Sequence, residues 1–163
     1  MGRESGLDAI ISAFIRNPEL SSVKYDVKKD IIKVEAALSN SISEETRTRF
    51  LNRCCQSLQI LYRTTKLKPD YIQLSFVENA GITILRLFRD SHTLSEEEVE
   101  LFVQLLRQSF AALLIKDNND IAAGAVLTGE IKKNLLNKIR QSNESYQNIF
   151  AYRDQGRVFV FNK

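Results

Sequence analysis

The sequence is poor in the residues that punctuate or cross-link a chain. Its 163 residues include 6 glycines, 2 prolines, 2 cysteines and 1 histidine. So few glycines and prolines, together with the lack of any low-complexity run, exclude collagen-like, mucin-like and intrinsically disordered chains. With 44% hydrophobic and 26% charged residues, the composition is instead typical of a single soluble globular domain.

The two cysteines, Cys54 and Cys55, are neighbours in a segment with helical periodicity. Adjacent side chains on a helix diverge, so we expect no unstrained disulfide between them. With a single histidine and no CxxC motif, a Cys/His zinc site within one chain is excluded. Free thiols are typical of a reducing compartment, and we therefore expect a cytoplasmic protein.

Long apolar runs are also missing. No run reaches the roughly 20 residues that a helix needs to cross a bilayer. The N-terminal segment has neither the basic region nor the cleavage site of a signal peptide. The sequence therefore predicts no membrane partner.

The net charge of +3 is too small to indicate a partner by itself, but it is unevenly distributed. Residues 1–127 hold 16 basic and 17 acidic residues, whereas residues 128–163 hold 7 basic and 3 acidic ones. This C-terminal excess is either a solvated helix face or a patch that binds anions. If the patch binds nucleic acid, the candidate residues are Lys132, Lys133, Arg153 and Arg157.

Hydrophobic periodicity predicts the element order α, ββα, ββα, α, ββ. Ser43 and Ser95 have the features of helix N-caps, and an amphipathic pattern follows each of them. A short polar turn separates the strands of each pair, so we expect antiparallel hairpins. The predicted segments are a helix ending at residue 16, strands 23–27 and 32–38, a helix from 43, strands 71–77 and 82–89, a helix from 95, a linker over 117–129, a helix over 131–139, and strands 149–153 and 157–161.

Two stretches of the sequence match each other when one is shifted by 52 positions. Phe50 then aligns with Phe102 in the same phase of its helix. We interpret the match as a tandem ββα repeat, although two capped amphipathic helices also resemble each other without duplication. The same shift places Cys54 on a core position and Cys55 on a polar one, so we expect a buried and an exposed thiol.

The predicted fold class is α+β, with an antiparallel sheet and helices packed on it. Residues 1–116 would form the duplicated ββα core with its N-terminal helix, and residues 117–163 would add a linker, a C-terminal helix and a β-hairpin to the same domain. The layout of the first seven elements resembles that of type III secretion chaperone-like folds, which have an additional strand before the middle helix. The resemblance implies a small cytosolic dimer that binds other proteins.

Motifs for catalysis or cofactor binding are absent. There is no Gly-x-Ser-x-Gly nucleophile turn, no phosphate-binding glycine loop and no complete calcium loop. His92 lies just before a predicted helix, where a solvated turn residue is expected. The glutamates at positions 96–98 and 100 are explained by the dipole of that helix. We therefore predict no catalytic residue, cofactor or metal site.

The terminal hairpin is apolar on both faces, with Phe150, Tyr152, Phe159 and Phe161 on one side and aliphatic residues on the other. Both faces require cover, so the hairpin either joins the main sheet or is buried against a second subunit. We expect these four aromatic residues to contribute to a homodimer interface.

The leading hypothesis is a non-enzymatic protein-interaction module, either a homodimeric adaptor or a chaperone-like protein, whose protein partner the sequence does not identify. One alternative is a nucleic-acid-binding regulator that uses the basic C-terminal segment. The other is a small enzyme whose site is completed at a subunit interface.

Overall fold

A computed structural model describes residues 2–115, 148–154 and 157–162, with side chains described for residues 9–115 and for Ala151 and Tyr152. In chain order the elements are α1 (Gly2–Arg16), β1 (Ser22–Asp26), β2 (Ile31–Leu38), α2 (Glu44–Thr65), β3 (Ile72–Asn79), β4 (Ile82–Asp90), α3 (Glu96–Phe110), β5 (Asn148–Asp154) and β6 (Arg157–Asn162). None of the described helices is long and apolar enough to cross a membrane.

The six strands form one sheet in the order β3-β4-β2-β1-β5-β6, and every neighbouring pair is antiparallel. The second strands of the two N-terminal hairpins, β2 and β4, are neighbours in this sheet. The terminal hairpin joins the same sheet because β5 pairs with β1. The predicted α+β class is confirmed, and the terminal hairpin extends the main sheet.

Local sequence features account for the ends of the elements. Ser43 and Ser95 are the N-caps of α2 and α3, and the hydroxyl oxygen of each accepts a hydrogen bond from the backbone N–H three residues later. Lys66 closes α2 in the left-handed conformation, with φ of 58°. Ala80 and Gly81 join β3 to β4 with φ of 52° and 80°, as a two-residue hairpin turn requires.

One face of the sheet carries the helices. The side chains of β2 are alternately buried and half-buried, and the buried ones include Ile32 and Val34. They form a single core with Leu85 and Leu87 of β4 and with apolar residues of all three helices. In this helix layer α3 lies in the middle and contacts both α1 and α2. The result is a two-layer domain of helices on a sheet.

The opposite face of β2 and β4 has charged residues in its middle, with half-buried apolar residues on either side of them. Lys33 and Glu35 of β2 and Arg86 of β4 lie on this face, and Glu35 forms ion pairs with Arg86 at 2.8 Å and with Lys33 at 3.6 Å. Burial alone would raise the pKa of Glu35, but hydrogen bonds from Arg86 and Ser22 and the charge of Lys33 outweigh it and lower that pKa. Both basic residues at this place are therefore paired with Glu35.

The structure confirms that both predicted units, β1-β2-α2 and β3-β4-α3, have the order ββα, while the duplication itself stays a prediction. The predicted positions of the two thiols are confirmed, since Cys54 is buried and Cys55 is exposed. The predicted linker over 117–129 and the helix over 131–139 lie outside the described residues.

Candidate functional site

The aromatic residues of the terminal hairpin occupy neighbouring register positions. Phe150 is opposite Phe161, and Tyr152 is opposite Phe159. Strand alternation places all four positions on one face of the sheet. Tyr152 is 41% exposed, whereas Ala151, which points to the helix layer, is 2% exposed. The four predicted interface residues are therefore brought together, and their part in an interface stays a prediction.

The β6 strand is the last in the sheet, and among the described strands its outer edge has no partner. Between Arg157 and Asn162 its sequence is Val-Phe-Val-Phe, without a charge or a proline. Natural edge strands are usually protected against pairing by charged residues, prolines or bulges. None of these protections occurs within this stretch of β6.

The four candidate nucleic-acid residues do not form a common patch in the described part of the chain. Arg157 is opposite Asp154, and Arg153 is opposite Val158, at the two sides of the hairpin turn. Alternation places Arg153 and Arg157 on opposite faces of the sheet. Lys132 and Lys133 lie outside the described residues.

A second cluster of polar residues, which sequence reasoning did not predict, surrounds His92. We call Asp30, Asp70, Asp90 and His92 the His92 cluster. Asp30 lies in the turn between β1 and β2, and Asp70 lies just before β3. The strand order brings these segments to one end of the sheet, because the register sets Ile31 opposite Asp90.

Both ring nitrogens of His92 contact a carboxylate. The Nδ1 atom lies 3.0 Å from Oδ2 of Asp30, and the Nε2 atom contacts Oδ2 of Asp70. Hydrogen bonds to Asp70 and Asp30 outweigh the small effect of burial and raise the pKa of His92. His92 is exposed, as expected of a turn residue, but it is held in place by two acidic side chains.

The carboxylate of Asp90 is buried and fully occupied by donors. Its Oδ1 atom accepts hydrogen bonds from the backbone N–H of Asp70 at 3.1 Å and of Tyr71 at 2.9 Å, and from Arg89. Its Oδ2 atom accepts from the backbone N–H and the hydroxyl of Thr93. Burial alone would raise the pKa of Asp90, but these hydrogen bonds and the Arg89 charge lower it. Asp90 therefore fixes the backbone around His92.

Beneath Asp90 lies a buried ion pair. Arg89 of β4 donates to Glu98 in the first turn of α3 through two hydrogen bonds, of 2.6 and 3.0 Å, and both side chains are 1% exposed. The expectation that the helix dipole explains these glutamates was incomplete, since Glu98 is a buried partner of Arg89. An arginine at a core-facing position of a strand is the sequence feature that could have predicted this partner.

The pair also affects the phenol of Tyr62 in α2. Burial and the neighbouring Glu98 carboxylate raise the pKa of Tyr62. The phenol therefore stays protonated, and α2 contributes a neutral polar group next to the pair. Arg89 and Glu98 thus connect β4 to α3 below the His92 cluster, and the buried Tyr62 hydroxyl of α2 has no hydrogen-bond partner among the described residues.

The charge arrangement of the His92 cluster favours cations. Ligand atoms of Asp70, Asp90 and His92 all lie within 4.8 Å of one another, which is close enough for a metal ion to bridge some of them. The only guanidinium that contacts the cluster, among the described residues, is that of Arg89, which is already engaged by Glu98. The cluster therefore carries an excess of negative charge.

Comparison with known proteins gives no further guide to the function. No protein-family model, curated protein or solved structure matches the chain. The two places with functional potential, the β6 edge and the His92 cluster, are therefore interpreted from their own residues.

Proposed function

We propose that the protein is a non-enzymatic interaction module that forms a homodimer through its β6 edge and acts in the cytoplasm as an adaptor or chaperone-like protein. The observation that carries this proposal is the apolar outer edge of β6. The free thiols of Cys54 and Cys55 support the cytoplasmic location. The resemblance of the order of the first seven elements to chaperone-like folds supports the binding of other proteins.

A second copy of this chain is the partner that best fits the β6 edge. Two antiparallel β6 strands can pair around a two-fold axis, and each then supplies the donors and acceptors that the other lacks. Such a pair joins the two sheets into one and removes both unprotected edges. It also brings the aromatic positions Phe159 and Phe161 of the two copies close together.

The hydrogen-bonding groups of β6 alternate in direction. Only two residues separate Asp154 from Arg157, so this register pair exchanges hydrogen bonds across the hairpin. Alternation from there directs the backbone N–H groups of Val158, Val160 and Asn162 away from β5. A proline at position 160 would remove an outward N–H group and leave the bonds between β5 and β6 intact.

The test is the oligomeric state of Val160→Pro, measured by sedimentation velocity at micromolar concentrations. We expect a wild-type dimer and a folded monomeric variant. The matched control is Ile72→Pro in β3, which lies at the opposite edge of the sheet and whose N–H also points outward. We expect this control to remain a dimer.

Two outcomes would contradict the proposal. They are a monomeric wild type and a Val160→Pro variant that remains dimeric, whether or not Ile72→Pro dissociates the dimer. A double variant, Phe159→Ser with Phe161→Ser, adds a second criterion, because loss of the aromatic face should give a monomer or an aggregate.

A further inference from the structure

The two ring contacts of His92 cannot both be made by a neutral imidazole while both carboxylates are ionised. A neutral ring has one N–H group, and its other nitrogen is an acceptor. If Nδ1–H donates to Asp30, then Nε2 and Oδ2 of Asp70 are two acceptors in contact. A second proton satisfies this contact as it stands, and a metal ion can take the place of that proton once the two side chains move apart.

We propose that His92 and Asp70 bind a divalent transition-metal ion such as Zn²⁺, with Asp30 orienting the imidazole. Imidazole nitrogen and carboxylate oxygen together suit Zn²⁺, whereas Mg²⁺ and Ca²⁺ prefer oxygen ligands alone. A carboxylate that accepts from the second ring nitrogen is the usual partner of a metal-binding histidine, and Asp30 occupies that position.

The surroundings of these side chains decide which of them can be ligands. Asp90 is excluded, because donors already occupy both of its oxygens. The side chains of His92 and Asp70 are 40% and 64% exposed, so water can complete the coordination. Bonds of about 2.0–2.2 Å to each ligand also require Nε2 and the carboxylate to move apart, which the exposed Asp70 side chain permits.

Electrostatics also favours a divalent ion at this place. Asp30 and Asp70 flank the imidazole, the Asp90 carboxylate lies 3.5 Å from Nδ1, and Arg89 is shared with Glu98. An ion of charge +2 compensates this excess of carboxylates more completely than a single proton does.

The ion would connect three segments that are distant in sequence. Asp30 belongs to the turn between β1 and β2, Asp70 precedes β3, and His92 follows β4. An ion held by His92 and Asp70, with Asp30 bonded to the ring, therefore ties together one end of the sheet. Because it binds only when these segments are in place, it stabilises the folded state, and above its dissociation constant the stabilisation grows with the logarithm of its concentration.

The experiment is a titration of the tag-free full chain with Zn²⁺. Calorimetry measures the binding, and thermal unfolding measures its effect on stability. The Cys55→Ser background removes the exposed thiol, which is the other exposed soft ligand among the described side chains. We expect a single Zn²⁺ per chain and a rise in the unfolding temperature. Mg²⁺ at the same concentration should produce neither effect.

The variants identify the ligands. His92→Ala and Asp70→Asn should each weaken Zn²⁺ binding by about tenfold or more, and Asp30→Asn should weaken it by roughly tenfold. Glu45→Gln is the matched control and should leave the affinity unchanged, since Glu45 is an exposed carboxylate on α2 that forms an ion pair with Arg49. The ¹⁵N shift of His92 Nε2 should also move on binding.

Two results would overturn the proposal. One is the absence of any Zn²⁺ effect at millimolar concentration in the Cys55→Ser background. The other is Zn²⁺ binding that survives in His92→Ala, which would locate the ion elsewhere on the chain. Neither result depends on the oligomeric state, so the outcome is independent of the proposed dimer.

Discussion

The helices α2 and α3 begin in the same way but lie in different surroundings. Each has a serine N-cap that accepts a hydrogen bond of 3.2 Å from the N–H three residues later. The buried residues of α2 are Phe50, Cys54 and Leu58, whereas α3, although shorter, buries seven of its residues. Because α3 has a helix on either side and α2 has only one, position in the layer decides how much each helix contributes to the core.

The largest difference in stability between matching substitutions in α2 and α3 is expected three residues after each N-cap. At this position α3 has the buried Glu98, paired with Arg89, whereas α2 has the half-buried and uncharged Thr46. Removing one partner of a buried ion pair leaves the other charge uncompensated, so Glu98→Ala should lower the free energy of unfolding by about 3–5 kcal/mol. Thr46→Ala should change it by about 0.5 kcal/mol or less.

Urea unfolding at neutral pH measures both values. A Glu98→Ala variant as stable as Thr46→Ala would show that the buried pair does not contribute to stability. It would also remove the contrast between the two helices at this position.

A smaller difference in the loss of stability is expected between matching positions in the middle of the two helices. Cys54 of α2 and Leu106 of α3 correspond under the predicted repeat, and both are 0% exposed. Leu106→Ala should destabilise the protein by about 2–5 kcal/mol, because it leaves a larger cavity than Cys54→Ala, which should cost about 1–2 kcal/mol. If urea unfolding shows equal losses of free energy for the two variants, the size of the cavity does not determine the loss at these two sites.

The smallest effect concerns the neighbouring thiol. Cys55 is exposed, so Cys55→Ser should change the free energy of unfolding by about 0.5 kcal/mol or less. In the native protein a bulky thiol reagent should label Cys55 much faster than Cys54, whose burial raises its pKa to about 12. Mass spectrometry measures the two labelling rates. Equal rates would contradict the assignment of Cys54 to the buried face and Cys55 to the exposed face of α2.

The local elements could be predicted from the sequence because their causes are local. Alternation in β1 and β2, the serine caps and the short turns each depend on residues close in the chain. The order of the strands could not be predicted in this way, because the pairing of β2 with β4 and of β1 with β5 joins distant segments. The sequence pattern therefore left open whether the terminal hairpin joined the main sheet.

The His92 cluster was missed for the same reason. His92 lies 62 residues from Asp30 and 22 from Asp70, and no motif spacing connects them. They meet only because the end of β4 pairs with the start of β2. The buried Arg89 was different, since its core-facing place in the alternation of β4 could be read from the sequence.

The pairing of β1 with β5 has a consequence for the order of folding. Ser22 pairs with Tyr152, so forming this ladder closes a loop of more than a hundred residues. Contacts so distant along the chain form slowly compared with those of adjacent hairpins. During synthesis the β1 edge that pairs with β5 therefore stays without its partner until β5 has left the ribosome.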